Sequence, residues 1–152
     1  MCPSRTMKRI LVMVPACLLL LFGACNDDNI SVFNQLWQND DVEVFEYYRG
    51  DQVFYFMRQR TNNIQMEALI NGKVSIQDGC TVLVGPYETA TVIWPEEFRL
   101  EEANQLYRIR GKDIIIESGD SLRLSGGFYS QVPDSYCTGS FWLVGSEIEV
   151  LE

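Results

Sequence analysis

Short apolar runs separated by glycine turns, repeated from Val42 to the C-terminus, constrain this chain more than any other feature. Val42 to Tyr48 and Gln52 to Arg58 are rich in Val, Phe and Tyr and flank Arg49-Gly50-Asp51, which predicts an aromatic hairpin. Strand-like runs then recur at Met66 to Ile70, Lys73 to Ile76, Thr81 to Val84, Thr91 to Trp94, Leu106 to Ile109, Ile114 to Ile116, Leu122 to Leu124, Phe141 to Val144 and Glu147 to Leu151. Turn signals lie between them at Asn71-Gly72, Asp78-Gly79, Gly85-Pro86, Gly111-Lys112, Ser118-Gly119-Asp120, Gly126-Gly127 and Gly145-Ser146. Many short strands argue for an all-β sandwich or barrel. Closure removes exposed strand edges, so a small antiparallel β-barrel is the expected fold. Glu96 to Gln105 reads equally as a helix, with Pro95 at its first position, or as a strand.

The N-terminus follows different rules. Arg5, Lys8 and Arg9 precede an apolar stretch from Ile10 to Phe22, which ends in Gly23-Ala24-Cys25. The stretch is shorter than the roughly 20 apolar residues a membrane-spanning helix needs. A charged segment, a short apolar core and small residues before a cysteine resemble the signal of bacterial lipoproteins. That resemblance implies cleavage between Ala24 and Cys25, with acyl chains such as palmitate on Cys25 holding the protein to a membrane. It implies a place in the cell envelope, at the outer membrane, on its periplasmic or surface face. Either Met1 or Met7 fits as the start. Residues 1–24 are thus expected to be a signal peptide, 25–41 a lipidated tether with one helical turn near Ser31, and 42–152 a single β domain. Within that domain 42–58 reads as an added hairpin and 66–152 as the barrel.

Removing such a leader takes three of the 12 basic residues and none of the 21 acidic ones, so nine face 21 and the charge is −12. A field of that sign disfavours nucleic acid and anionic lipid and favours a cationic protein partner. Cys80 and Cys137 remain, and in an oxidising compartment pairing is the default.

The chain has no histidine, which removes the commonest general base and metal ligand. A Ser-His-Asp triad is impossible, and neither phosphate-binding glycine motif is present. No cofactor or metal is implied. Asp40-Asp41, Glu96-Glu97 and Glu101-Glu102 are acidic pairs, but neighbours on a strand point to opposite faces, so solvated surface is the plainer reading. Arg49-Gly50-Asp51 matches an integrin-binding triplet, though a hairpin turn calls for glycine there anyway. The aromatics supply the candidate contact surface: Tyr47 and Tyr55 on the hairpin, and Phe128 and Tyr129 after the double glycine.

Ala68 to Val144 also resembles small, mostly uncharacterised bacterial lipoproteins and secreted proteins. The residues that carry this are Asp78-Gly79-Cys80, Val92-Ile93-Trp94-Pro95, Gly119-Asp120-Ser121-Leu122, Ser125-Gly126-Gly127 and Cys137 to Gly145. The resemblance implies a compact barrel, like an oligonucleotide/oligosaccharide-binding barrel, with Cys80 joined to Cys137. It supplies no catalytic residues. The expected function is therefore non-enzymatic, a membrane-anchored binding module. One alternative is inhibition of a cationic envelope enzyme such as lysozyme. Ser125-Gly126-Gly127-Phe128-Tyr129-Ser130 partly resembles the Ser-Gly-x-x-Tyr loop of β-barrel lysozyme inhibitors. The other is a carboxylate-based hydrolase, which needs two carboxyl groups facing across a cleft.

Overall fold

The computed structural model describes residues 33–61, 66–103 and 106–152. They form eleven strands, and among the described residues there is no helix. In chain order the strands are β1 (Phe33–Gln38), β2 (Val42–Arg49), β3 (Gln52–Gln59), β4 (Ala68–Gln77), β5 (Cys80–Val84), β6 (Thr89–Trp94), β7 (Arg99–Ala103), β8 (Leu106–Arg110), β9 (Ile115–Glu117), β10 (Ser121–Tyr129) and β11 (Ser140–Leu151). Eight belong to one sheet, ordered β1-β2-β3-β5-β4-β10-β11-β6, and β7-β8-β9 form a second, antiparallel sheet.

This arrangement corrects the expected closed antiparallel barrel. The large sheet folds back where β6, parallel to β11, also meets β5 and β3, but the closure is partial. The β3–β6 contact is two residue pairs, Met57 with Ile93 and Arg58 with Trp94, and β3 meets β5 at Tyr55 and Cys80 alone. Three strands leave to build the second sheet, and β1 lies at the end of the strand order. The likeness to barrel-forming secreted proteins falls with the barrel it implied. The tether is corrected in part: Phe33–Gln38 is a strand paired with β2, not a helical turn. Of the segment left open, Glu96 and Glu97 lie in a turn and Arg99–Ala103 is strand.

Glycine explains why two strands are longer than expected. Gly126-Gly127 reads as a turn, yet it lies inside β10, where the pairing with β11 shifts register between Leu124 and Gly126. Gly126 has φ of +147°, and a Cβ there would sit 2.0 Å from the Leu143 carbonyl oxygen. A bulge with close backbone approach needs glycine as much as a turn does. Ser125 serves the same bulge: its Oγ accepts from the Glu147 amide at 2.9 Å. Asn71-Gly72 likewise lies within β4, where a Cβ on Gly72 would sit 2.6 Å from the Val84 carbonyl oxygen. Asp78-Gly79, by contrast, is a true turn with both residues at positive φ.

Around β5, β6 and the first half of β11 the large sheet is buried on both faces, so those strands are continuously apolar, whereas β4 alternates with exposed Asn71 and Lys73. One set of side chains, including Phe45, Phe56, Leu83, Val92, Trp94, Leu124 and Trp142, packs with Leu100, Tyr107, Ile109 and Ile116 of the small sheet. The alternate residues Val42, Val44, Met57, Val82, Ile93, Phe141 and Leu143 pack with Val132 and the Cys80–Cys137 pair. Two polar side chains in this core pair with neighbours, whereas the buried Tyr107 hydroxyl has no hydrogen-bond partner among the described residues. Trp94 Nε1 donates to Thr81 Oγ1 at 3.1 Å, and Gln59 Nε2 donates to the Val144 carbonyl.

Candidate functional site

The four aromatic candidates do not form one surface. Tyr47 alternates with Val44 and Tyr48 along β2 and falls on the inner face, only 8% exposed. Burial raises the pKa of its hydroxyl, an effect that the positive charge of Arg58 opposes. Tyr55 is half-buried, its ring 5.9 Å from that of Tyr136 in the β10–β11 connection. Tyr129, at the end of β10, is tied down: its hydroxyl accepts from Asn39 Nδ2 at 2.9 Å and donates to Asp41 Oδ2 at 3.2 Å. Burial is the largest cause of its raised pKa; Asn39 opposes the shift, while Asp41 and Asp40 add to it. Asn39 Oδ1 in turn accepts from the amides of Asp41 and Val42, so one side chain links the β1–β2 turn to β10.

Phe128 differs. It is 55% exposed, and its ring meets that of buried Trp142 edge-on, with centroids 5.2 Å apart and planes at 87°. Phe128 and Trp142 are direct cross-strand partners in β10 and β11, so backbone pairing holds the rings together. A large apolar side chain fixed in this way keeps its exposed edge available at little cost in rotamer freedom. Ser125 to Tyr129 is strand, not the loop on which the lysozyme-inhibitor likeness rests.

Cys80 and Cys137 are bonded and buried, and the bond holds the β10–β11 connection against the second apolar face. Cys25 lies outside the described residues. In the integrin-type triplet, Arg49 is turned back: its Nε lies 3.4 Å from Glu102 and its guanidinium 5.9 Å from the Tyr107 ring centre.

Of the acidic pairs, Glu101-Glu102 is the most engaged. Glu101 Oε1 accepts from Arg99 Nε at 3.0 Å, Oε2 accepts from Arg110 Nε at 2.7 Å, and Arg108 Nη2 stands at 3.5 Å. Burial alone would raise the Glu101 pKa, but the Arg110 and Arg99 guanidinia outweigh it and hold the carboxyl below its ordinary range. That direction is opposite to the one a general acid requires. Among the described residues, no group of three or more acidic or cysteine side chains is arranged to hold a metal ion.

The arginine cluster around Glu101 is the feature that reading by net charge misses. Its signal was present in Arg99-x-Glu101 and Arg108-x-Arg110, where the period of two puts each pair on one strand face. All seven described arginines contact a carboxylate or, for Arg60, the Asn39 carbonyl.

No family model matches this chain, and no curated protein or solved structure matches it either.

Proposed function

We propose that this protein is a non-enzymatic interaction module of the cell envelope, held to a membrane through Cys25, that binds a cationic protein at Phe128. The observation that carries the reading is Phe128 itself, more than half exposed yet braced against Trp142. Exposed aromatics on a rigid support are the usual centres of binding energy at protein interfaces. Tyr129, the next residue of β10, points to the opposite face, where Asp41 and Asn39 hold its hydroxyl. The sign of the partner follows from charge: acidic residues outnumber basic ones, and that excess governs the long-range field. A lipid anchor would concentrate such a module beside envelope proteins and limit its search to a surface.

Photo-crosslinking in cells tests this. A photoreactive phenylalanine analogue at position 128 should join the protein to a basic partner, while the same analogue at exposed Val150 should not. Equal yields of the same products from both positions, or products that are all acidic, would refute the proposal.

A further inference from the structure

The outer face of the small sheet has a composition unlike the rest of the molecule. Leu100, Tyr107, Ile109 and Ile116 point inwards, so the alternate residues face out. These are Arg99 and Glu101 on β7, Leu106, Arg108 and Arg110 on β8, and Ile115 and Glu117 on β9. Three arginines face two glutamates there, in a chain with 21 acidic residues against 12 basic. Lys112 and Asp113, in the turn that follows β8, cancel. This face thus carries a positive balance on an acidic protein.

Three observations make this more than a surface ion-pair network. Arg99 and Arg110 stand directly opposite each other across β7 and β8, a like-charge pairing that sheets ordinarily avoid. A single carboxylate, Glu101, serves all three guanidinia, and it engages Arg99 and Arg110 through Nε, leaving their terminal nitrogens free of that bond. Arg108 Nε, on the central strand, is buried and has no acceptor. Buried donors are normally paired, so the cluster holds more donor capacity than the chain's own acceptors use. Leu106, 71% exposed, and Ile115, 44% exposed, stand beside the arginines on the same face.

We infer that this face rests on an anionic lipid surface, with Arg99, Arg108 and Arg110 on headgroup phosphates and Leu106 and Ile115 at the headgroup boundary. The inference builds on the membrane location proposed above. Guanidinia bind phosphate oxygens through paired N–H groups, and exposed aliphatic side chains favour the interfacial layer. The net negative charge of the chain, which argues against anionic lipid as a whole, then acts as an orienting force. It drives the acidic surfaces away from the bilayer and turns this one face towards it. Each arginine near such a surface strengthens the contact about fivefold.

Hydrogen–deuterium exchange of the full lipidated chain tests this, on vesicles of phosphatidylcholine alone and of phosphatidylcholine mixed with phosphatidylglycerol. Flotation is scored separately. The expected result is flotation on both, with exchange in Leu106 to Glu117 slowed several-fold on the mixed vesicles alone. Arg99→Gln with Arg110→Gln should abolish the slowing while exchange in β10 and β11 stays native. Glu101→Gln, which removes the internal counter-ion, should increase the slowing on mixed vesicles relative to the same variant on phosphatidylcholine alone. Were the cluster merely structural, that variant would change exchange equally on the two kinds of vesicle, and the inference would be overturned. Flotation on both vesicles with identical exchange would overturn it too while leaving the anchor intact. Failure to float on phosphatidylcholine would instead remove the anchor reading. Slowing by inorganic phosphate on neutral vesicles would assign the cluster to a soluble anion and contradict the lipid surface.

Discussion

Cys80 at the start of β5 and Cys137 in the β10–β11 connection are bonded across 57 residues of chain, with their α-carbons 6.1 Å apart. The bond fastens the connection carrying Val132 and Tyr136 over an apolar face that would otherwise meet water. In the chain-entropy description, a loop of this length restrains the unfolded state by about 4 kcal/mol. Cys137→Ser is therefore expected to lower the unfolding free energy by about that amount, read from the denaturant midpoint under non-reducing conditions. An unchanged midpoint would mean that the connection packs without the bond.

Gly126 offers a sharper test of the β10 bulge. Its positive φ and the 2.0 Å that would separate an added Cβ from the Leu143 carbonyl oxygen act together, so Gly126→Ala must both strain the backbone and displace β11. Gly50 also has positive φ, at +56°, but nothing lies within 4 Å of a Cβ placed there. Gly50→Ala should cost about 1 kcal/mol, the ordinary cost of a left-handed alanine. Gly126→Ala should cost well over about 2 kcal/mol, in the range of overpacked cores. Equal losses in chemical denaturation would show that the close approach is not a real constraint.

Stability should fall at both ends of the pH scale, for opposite reasons. Glu101 has a folded pKa below the ordinary 4.5, so its contribution is present above that value and is lost as pH falls through the folded pKa. Tyr129 and Tyr47 have folded pKa values above the ordinary 10.0. Between the unfolded and folded values the unfolded chain releases protons that the folded chain keeps, so stability drops as pH rises past 10. Urea midpoints across this range should show both slopes. Glu101→Gln should flatten the acid slope, and Tyr129→Phe should reduce the alkaline one.

Much of the fold was legible because strands leave a local signature. The aromatic hairpin was read from Val42 and Gln52 with its turn at Gly50, and β2 and β3 end one residue beyond the expected limits. What misled was glycine, which marks turns and bulges alike; Gly72, Gly126 and Gly145 each lie inside a strand because another backbone or side chain passes close. The barrel was an inference from strand number, and strand number does not encode which strands leave for a second sheet. Tyr47 looked available for contact because the covering small sheet comes from residues more than fifty positions away in sequence. Phe128 could be named from its position after two glycines, whereas its brace, Trp142, depends on a register that only the paired strands reveal.

The central claim is that Phe128 binds a cationic protein, and a calorimetric titration tests it most directly. The full chain is titrated with lysozyme as the cationic probe, at low and high salt, beside Phe128→Ala. The account predicts saturable binding that weakens with added salt and falls about tenfold or more in the variant, as for an interface hot spot, while the variant's unfolding midpoint stays close to that of the parent. Absence of binding at low salt, or equal affinity of the parent and the variant, would contradict it.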